Sequence, residues 1–170
     1  MLTDTRLTDT LCTRCGLCCD GTLFGDVELT GRREATRLET LGLDVDSDDA
    51  DVELLALPCR GLRGTRCRVY AARPRCCRTF ECGLLQRAAH GDVTEADALT
   101  RIAAARRQVA AVTALLAAFE PPRQLRLPLA ERVADALALA PRAGAPARRH
   151  ARLAVTMRAL TRTLRTTFLD

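Results

Sequence analysis

The chain has 170 residues at 18.5 kDa, a length that fits one domain with room for a small subdomain. Hydrophobic residues make up 48% and charged residues 28%, which argues against wholesale disorder, and 3% aromatics is poor material for stacking single-stranded nucleic acid. All 26 basic residues are arginine, a usage that with the abundant alanine reads as coding bias. Against 21 acids they leave a net +5, and the last fifty residues hold ten arginines against Glu131, Asp135 and Asp170.

The opening segment, MLTDTRLTDTL, has acids and threonines where a secretory signal needs a basic start and an apolar run. A cytoplasmic, reducing compartment is therefore expected, and no apolar stretch reaches the ~18 residues of a membrane span. Asp26–Leu29 reads as a short strand. Thr30 is placed to cap a helix through about Leu41, with Ala35 and Leu38 inward and Gly42 as the stop. The acidic run Asp44–Asp51 reads as a solvated loop, since it lacks calcium-loop spacing. Val52–Leu57 and Cys67–Tyr70 have strand character, with turn-like Pro58–Arg66 between them. Arg73-Pro74 stops regular structure.

Beyond residue 90 the pattern is helical. Asp92 or Thr94 caps a long helix whose first turn carries Glu95 and Asp97. Its stripe is Ile102, Ala105, Val109, Val112, Leu116 and Phe119, and Pro121-Pro122 ends it. A shorter helix spans about Leu129–Ala140, Pro141–Pro146 is a linker, and a last helix starts near Arg148. That helix sets Leu153, Met157, Leu160, Leu164 and Phe168 opposite Arg158, Arg162 and Arg165. Such a stripe needs a partner, and the long helix is the nearest one. The expected fold is mainly α: a small irregular α+β cysteine-rich metal-binding part over 8–90, with a helical C-terminal half over 91–170 packed on it.

Nine cysteines lie between Cys12 and Cys82, and none lies beyond. An odd count cannot close into internal disulfides, so clustered reduced thiols point to metal ligation. The first bunch is Cys12-x-x-Cys15-x-x-Cys18-Cys19. A C-x-x-C turn brings two thiolates to one metal, a third follows at the same spacing, and Gly16 permits a tight knuckle. Cys18 and Cys19 are adjacent, so their side chains diverge toward different metals, or one of them packs. The second bunch holds Cys59, Cys67, Cys76, Cys77 and Cys82.

The combined frame resembles the bacterial YkgJ-like family of cysteine-cluster proteins, described as a zinc- or iron-chelating domain. Its pattern of CxxCxxCC, PC, C-x-[IV]-Y-x-x-R-P and C-R-x-F-x-C is matched at Cys12, Cys15, Cys18 and Cys19, at Pro58-Cys59, at Cys67, Val69, Tyr70, Arg73 and Pro74, and at Cys77, Arg78, Phe80 and Cys82. The resemblance implies metal chelation by the eight matched cysteines. Cys76 is extra and reads as a packed bystander. The resemblance also reaches a domain of flagellin lysine methylases, so an enzyme component is the alternative reading.

Eight thiolates fit two four-thiolate zinc sites, or one iron–sulfur cluster with structural cysteines left over. Thiolate softness suits zinc and iron alike. A four-thiolate zinc centre carries about −2 of charge, and Arg14, Arg60, Arg66, Arg73 and Arg78 are near enough in sequence to screen it. Tyr70, Arg73 and Phe80 are expected to pack structurally. His90 is expected at a helix end and His150 on a solvated face. No Ser/His/Asp set and no Gly-rich phosphate loop appears, so no reaction is specified. A protein partner is compatible with the sequence, whereas the scarcity of aromatics argues against nucleic acid.

Overall fold

The computed structural model describes residues 5–47, 52–119, 125–139 and 144–170. The chain opens with helix α1 (Thr5–Cys15). Leu7, Leu11 and Cys15, spaced by four, form its apolar stripe, and Leu11 and Cys15 are buried. This helix was not foreseen: the C-x-x-C pair was expected on a turn, and it lies instead on the last helical turn.

A small three-stranded antiparallel sheet follows, built from β1 (Asp26–Glu28), β2 (Val45–Ser47) and β3 (Glu53–Ala56) in the order β1-β3-β2. Val27 and Val45 both pair with Leu55 on the central strand. Helix α2 (Arg32–Thr40) covers the sheet with Ala35 and Leu38. Leu29, Leu43 and Leu55 complete this small core. The cap falls on Gly31 rather than Thr30, because Glu34 reaches back to accept from both the Thr30 N–H and its hydroxyl, at 3.0 and 2.8 Å. Val45–Ser47 is a strand where a loop was expected: Val45 supplies an apolar partner for Leu55, and pairing outweighs the flanking acids. Residues 48–51 of that run lie outside the described residues.

The segment expected as a turn contains a hairpin of β4 (Leu62–Arg63) and β5 (Arg66–Cys67), closed by Gly64-Thr65 with Gly64 at φ 60°. The strand expected over Cys67–Tyr70 therefore ends at Cys67, and a 3-10 turn occupies Tyr70–Ala72. Short helices α3 (Arg75–Thr79) and α4 (Gly83–Ala89) lead to the long helix α5 (Glu95–Leu116). The Thr94 hydroxyl accepts from the Asp97 N–H, as its capping position requires.

Helices α6 (Leu129–Ala138) and α7 (Ala145–Leu164) complete the bundle, and a final π-type turn covers Arg165–Leu169. The last helix starts three residues earlier than expected, with Pro146 in its first turn, where the missing N–H costs nothing. Pro121-Pro122 and the first half of the expected linker lie outside the described residues. Helix α7 packs on α5, and Leu153, Leu160, Leu164 and Phe168 are buried. Burial of each such side chain contributes about 1.5–3 kcal/mol. His150 is half-buried rather than solvated: its Nε2 lies 3.0 Å from the Leu137 carbonyl, and its ring meets Phe119 edge-on.

The main core is continuous across both halves of the chain, joining Leu11, Leu17, Leu84 and Leu85 to Ile102, Val112, Leu116, Leu153 and Phe168. The Arg87 guanidinium on α4 donates to the carbonyls of Thr167 and Asp170 at 2.6 and 2.9 Å. Gly83 is required beside it, because a Cβ there would stand 2.2 Å from the Asp170 carbonyl oxygen. These contacts fix α4 against the end of the helical half.

Leu160→Ala is expected to cost about 2–5 kcal/mol, and Leu160→Asp more, because it buries an unpaired carboxylate. Val155→Asp, at a position 57% exposed on the same helix, should stay within about 0.5 kcal/mol of wild type. Thermal unfolding of the three variants checks the packing, and equal melting temperatures would contradict it.

Candidate metal centre

Gly16 ends α1 in the left-handed region at φ 72°, and a side chain there would press on the Thr65 backbone. The chain then turns so that the Cys19 N–H donates to the Gly16 carbonyl at 2.9 Å. Cys12 and Cys15 thus sit on the last turn of α1, with Cys18 and Cys19 in the following turn. The Cys59 N–H donates to the Cys19 carbonyl at 2.8 Å, which ties the two bunches together. Cys67 lies on β5, Cys76 and Cys77 on α3, and Cys82 caps α4.

All eight matched cysteines line one cavity of about 500 Å³, and so does Cys76. None of the nine is disulfide-bonded. Among the described lining residues there is one carboxylate, Glu28, and no histidine. The rest of the wall is largely apolar, with Phe24, Leu55, Leu57, Leu84, Ile102 and Phe168. Among the described residues, no three or more His, Cys, Asp or Glu side chains stand close enough to hold one ion as they are oriented. The sulfurs ring a shared space rather than a single point.

The environment divides the thiols. Burial, with repulsion from neighbouring sulfurs added, pushes Cys15 and Cys19 up to about 12. It pushes Cys12 up to about 11, the sulfur being sheltered although the residue as a whole is exposed. Burial raises Cys18, Cys59 and Cys82 in the same direction. The foremost sulfur neighbours differ around the ring, while Cys18 also meets Cys19 and both meet Cys12. Cys12, Cys15 and Cys18 all face Cys82. Cys19 faces Cys59 and Cys67 foremost, and Cys77 faces Cys19 and Cys59. Packing draws the same line: Cys15 and Cys82 belong to the main core, and Cys59, Cys76 and Cys77 lie against the small one. Cys76 and Cys77 share a hydrogen bond at 4.0 Å, which raises Cys77 and lowers Cys76 to about 7. The Gly61 N–H donates to the Cys59 sulfur at 3.3 Å.

The donor set fits a soft cation. Sulfurs in a poorly hydrated space cannot ionise together unless positive charge enters with them. Of the five arginines expected to screen the centre, Arg73 alone among the described residues lines the cavity. Its guanidinium lies 3.6 Å over the Tyr70 ring, and its Nε donates to the Tyr70 carbonyl at 3.1 Å. Arg60 is turned away onto Asp44, and Arg14, Arg66 and Arg78 are exposed. Tyr70 and Phe80 also line the cavity, so these frame residues shape the site rather than only packing beneath it. The Tyr70 hydroxyl bonds Asp9, and Phe80 meets Phe24 edge-on at 5.2 Å. His90 caps α4, as expected.

Sequence reading missed Arg106. From α5 its Nη1 donates to the Cys15 carbonyl at 2.7 Å, so the long helix anchors the end of α1 that bears two thiols. The only available signal was an arginine in a helix stripe, which does not single it out.

Comparison with known proteins adds one finding. A family model described as "CxxCxxCC: putative zinc- or iron-chelating domain" matches residues 11–101. Neither the curated proteins nor the solved structures contain a match to the chain. The matched span takes in all nine cysteines, the small sheet and the start of α5, and more than half of the sequence. The chain belongs to the CxxCxxCC family of zinc- or iron-chelating domains.

Proposed function

We propose that this chain is a cytoplasmic metal-binding protein that holds zinc or iron in two sets of four thiolates. Cys12, Cys15, Cys18 and Cys82 make the first set, and Cys19, Cys59, Cys67 and Cys77 the second. Residues 8–90 carry the centre, and the helices of 91–170 support it. The observation that carries this reading is that every cysteine of the chain lines one cavity that offers no imidazole among its described lining residues. Packing supports two sets, because Cys15 and Cys82 lie with the main core and Cys59 and Cys77 lie against the small one. Bound zinc would fix the fold of this part, and an iron–sulfur centre would add electron transfer. Arg73 would offset part of the negative charge of either. Cys76 remains a bystander, its charged and sulfur neighbours being Cys77 and Glu34.

Anaerobic purification with metal analysis decides the element. Colourless protein with two zinc ions per chain supports the structural form, and brown protein absorbing near ~400 nm supports an iron–sulfur cluster. Protein that carries neither metal after expression in supplemented medium would refute the proposal.

Cys15→Ser and Cys67→Ser are each expected to lose the metal of their own set, and Cys76→Ser to keep both, because hydroxyl is a far poorer ligand for soft metals. Metal-to-protein ratios read this directly. A large loss in Cys76→Ser would contradict the assignment.

Removal of metal should loosen the part held by the small core and spare the main one. A structural thiolate site contributes about 10 kcal/mol or more at neutral pH, whereas five buried residues make up the small core. Amide exchange after chelation should rise across β1–β5, α2 and α3, with α5 and α7 still protected. Uniform exchange in both regions would count against it.

The raised thiols set a pH dependence. In the metal-free folded chain Cys12, Cys15 and Cys19 titrate above their ordinary value of 9.0. The stability they contribute is present below pH 9 and lost as pH rises through about 11 to 12. The melting temperature of chelated protein should therefore fall between about pH 9 and pH 12. Because binding displaces these protons, zinc affinity should rise with pH across the same approach.

A further inference from the structure

A second cavity, of about 520 Å³, shares a wall with the first: Leu43, Leu57 and Val69 line both. Four arginines face it, Arg60, Arg63, Arg68 and Arg126, and the acid among the described lining residues is Asp44. Asp44 is taken by Arg60, at 2.6 Å. Arg63 donates to the carbonyl of Leu62 at 3.1 Å. The guanidinium groups of Arg68 and Arg126 make no hydrogen bond or ion pair among the described residues, the Arg68 backbone N–H donating to the Gly61 carbonyl at 2.8 Å. The rim carries Leu41 and Leu125, 44% and 56% exposed, which are among the large apolar side chains left in water.

The arrangement has two halves of different chemistry. Arginine forks match the planar or tetrahedral oxygens of a carboxylate or phosphate, and an excess of three positive charges around one concavity raises the local potential for an anion. The leucine and valine wall offers apolar contact to whatever carries that anion, and the volume suits a small organic molecule. Three of the arginines, Arg60, Arg63 and Arg68, lie on or beside the Cys59–Cys67 segment that presents two thiols to the first cavity. We propose that this cavity binds an amphiphilic organic anion, with the head group on Arg68 and Arg126 and the apolar part on Leu41, Leu43 and Leu125. This site does not depend on the metal reading.

The test uses octyl phosphate, below its micelle concentration, titrated calorimetrically into the full-length protein as purified. Inorganic phosphate and the neutral octyl glucoside serve as comparison ligands. Octyl phosphate should bind tightest, and its affinity should fall with added salt. The double variant Arg68→Gln/Arg126→Gln should weaken it by about tenfold or more. Because both side chains are exposed, the variant should keep the wild-type melting temperature and metal content, which separates a failed anion site from a failed metal centre. Sedimentation with phosphatidate-containing vesicles identifies the source of the head group. Pelleting that the double variant loses assigns it to a lipid, and octyl phosphate binding without pelleting assigns it to a free molecule. Equal binding of octyl glucoside, or unchanged affinity in the double variant, would overturn the proposal.

Discussion

Crowding of nine sulfurs into one poorly hydrated space is the constraint on which this molecule turns. A single thiol in such a space stays protonated at little cost, but several together cannot ionise without help, because each thiolate raises the energy of the next. The apolar part of the wall, with Leu55, Leu84, Ile102 and Phe168, supplies neither water nor countercharge. Arg73 is the one cation among the described lining residues. That shortage of countercharge is how the chemistry of the cavity agrees with a family of zinc- or iron-chelating domains.

The two hydrophobic cores account for how the sulfurs are shared. The main core ties α1 and α4 to the helical half, and it carries Cys15 and Cys82 with it. The small core lies between α2 and the three-stranded sheet, with Cys59 and Cys77 against its edge. The hydrogen bond from the Cys59 N–H to the Cys19 carbonyl is a seam between them. A five-residue core is marginal on its own, so Cys59, Cys76 and Cys77 lie where the fold has least apolar packing to hold it.

Much of this was legible in the residues. The stripes Ile102–Leu116 and Leu153–Phe168 are periodic and long, and periodicity of that length survives tertiary context. The cysteine spacing pointed to two bunches of clustered thiols, and both bunches line one cavity. What was not legible depends on contacts between distant segments. Helix α1 looks polar and threonine-rich until Leu7, Leu11 and Cys15 find the main core. Val45 reads as part of an acidic loop until Leu55 stands opposite. Arg60 is near Cys59 in sequence yet faces the other cavity, because Asp44 draws its guanidinium away at 2.6 Å. The role of Arg106 depends on a carbonyl ninety-one residues away.

Ile102 and Phe168 come from the helical half and form part of the wall of the cysteine cavity. Their presence makes the bundle a lid over one side of the sulfurs. On the other side Phe80 is 42% exposed, and the sheltered Cys12 sulfur belongs to an exposed residue. Side chains on the solvent-facing surface of α5 and α7 are thus separated from the sulfurs by the layer that holds Ile102 and Phe168, and substitutions there leave the cavity wall intact.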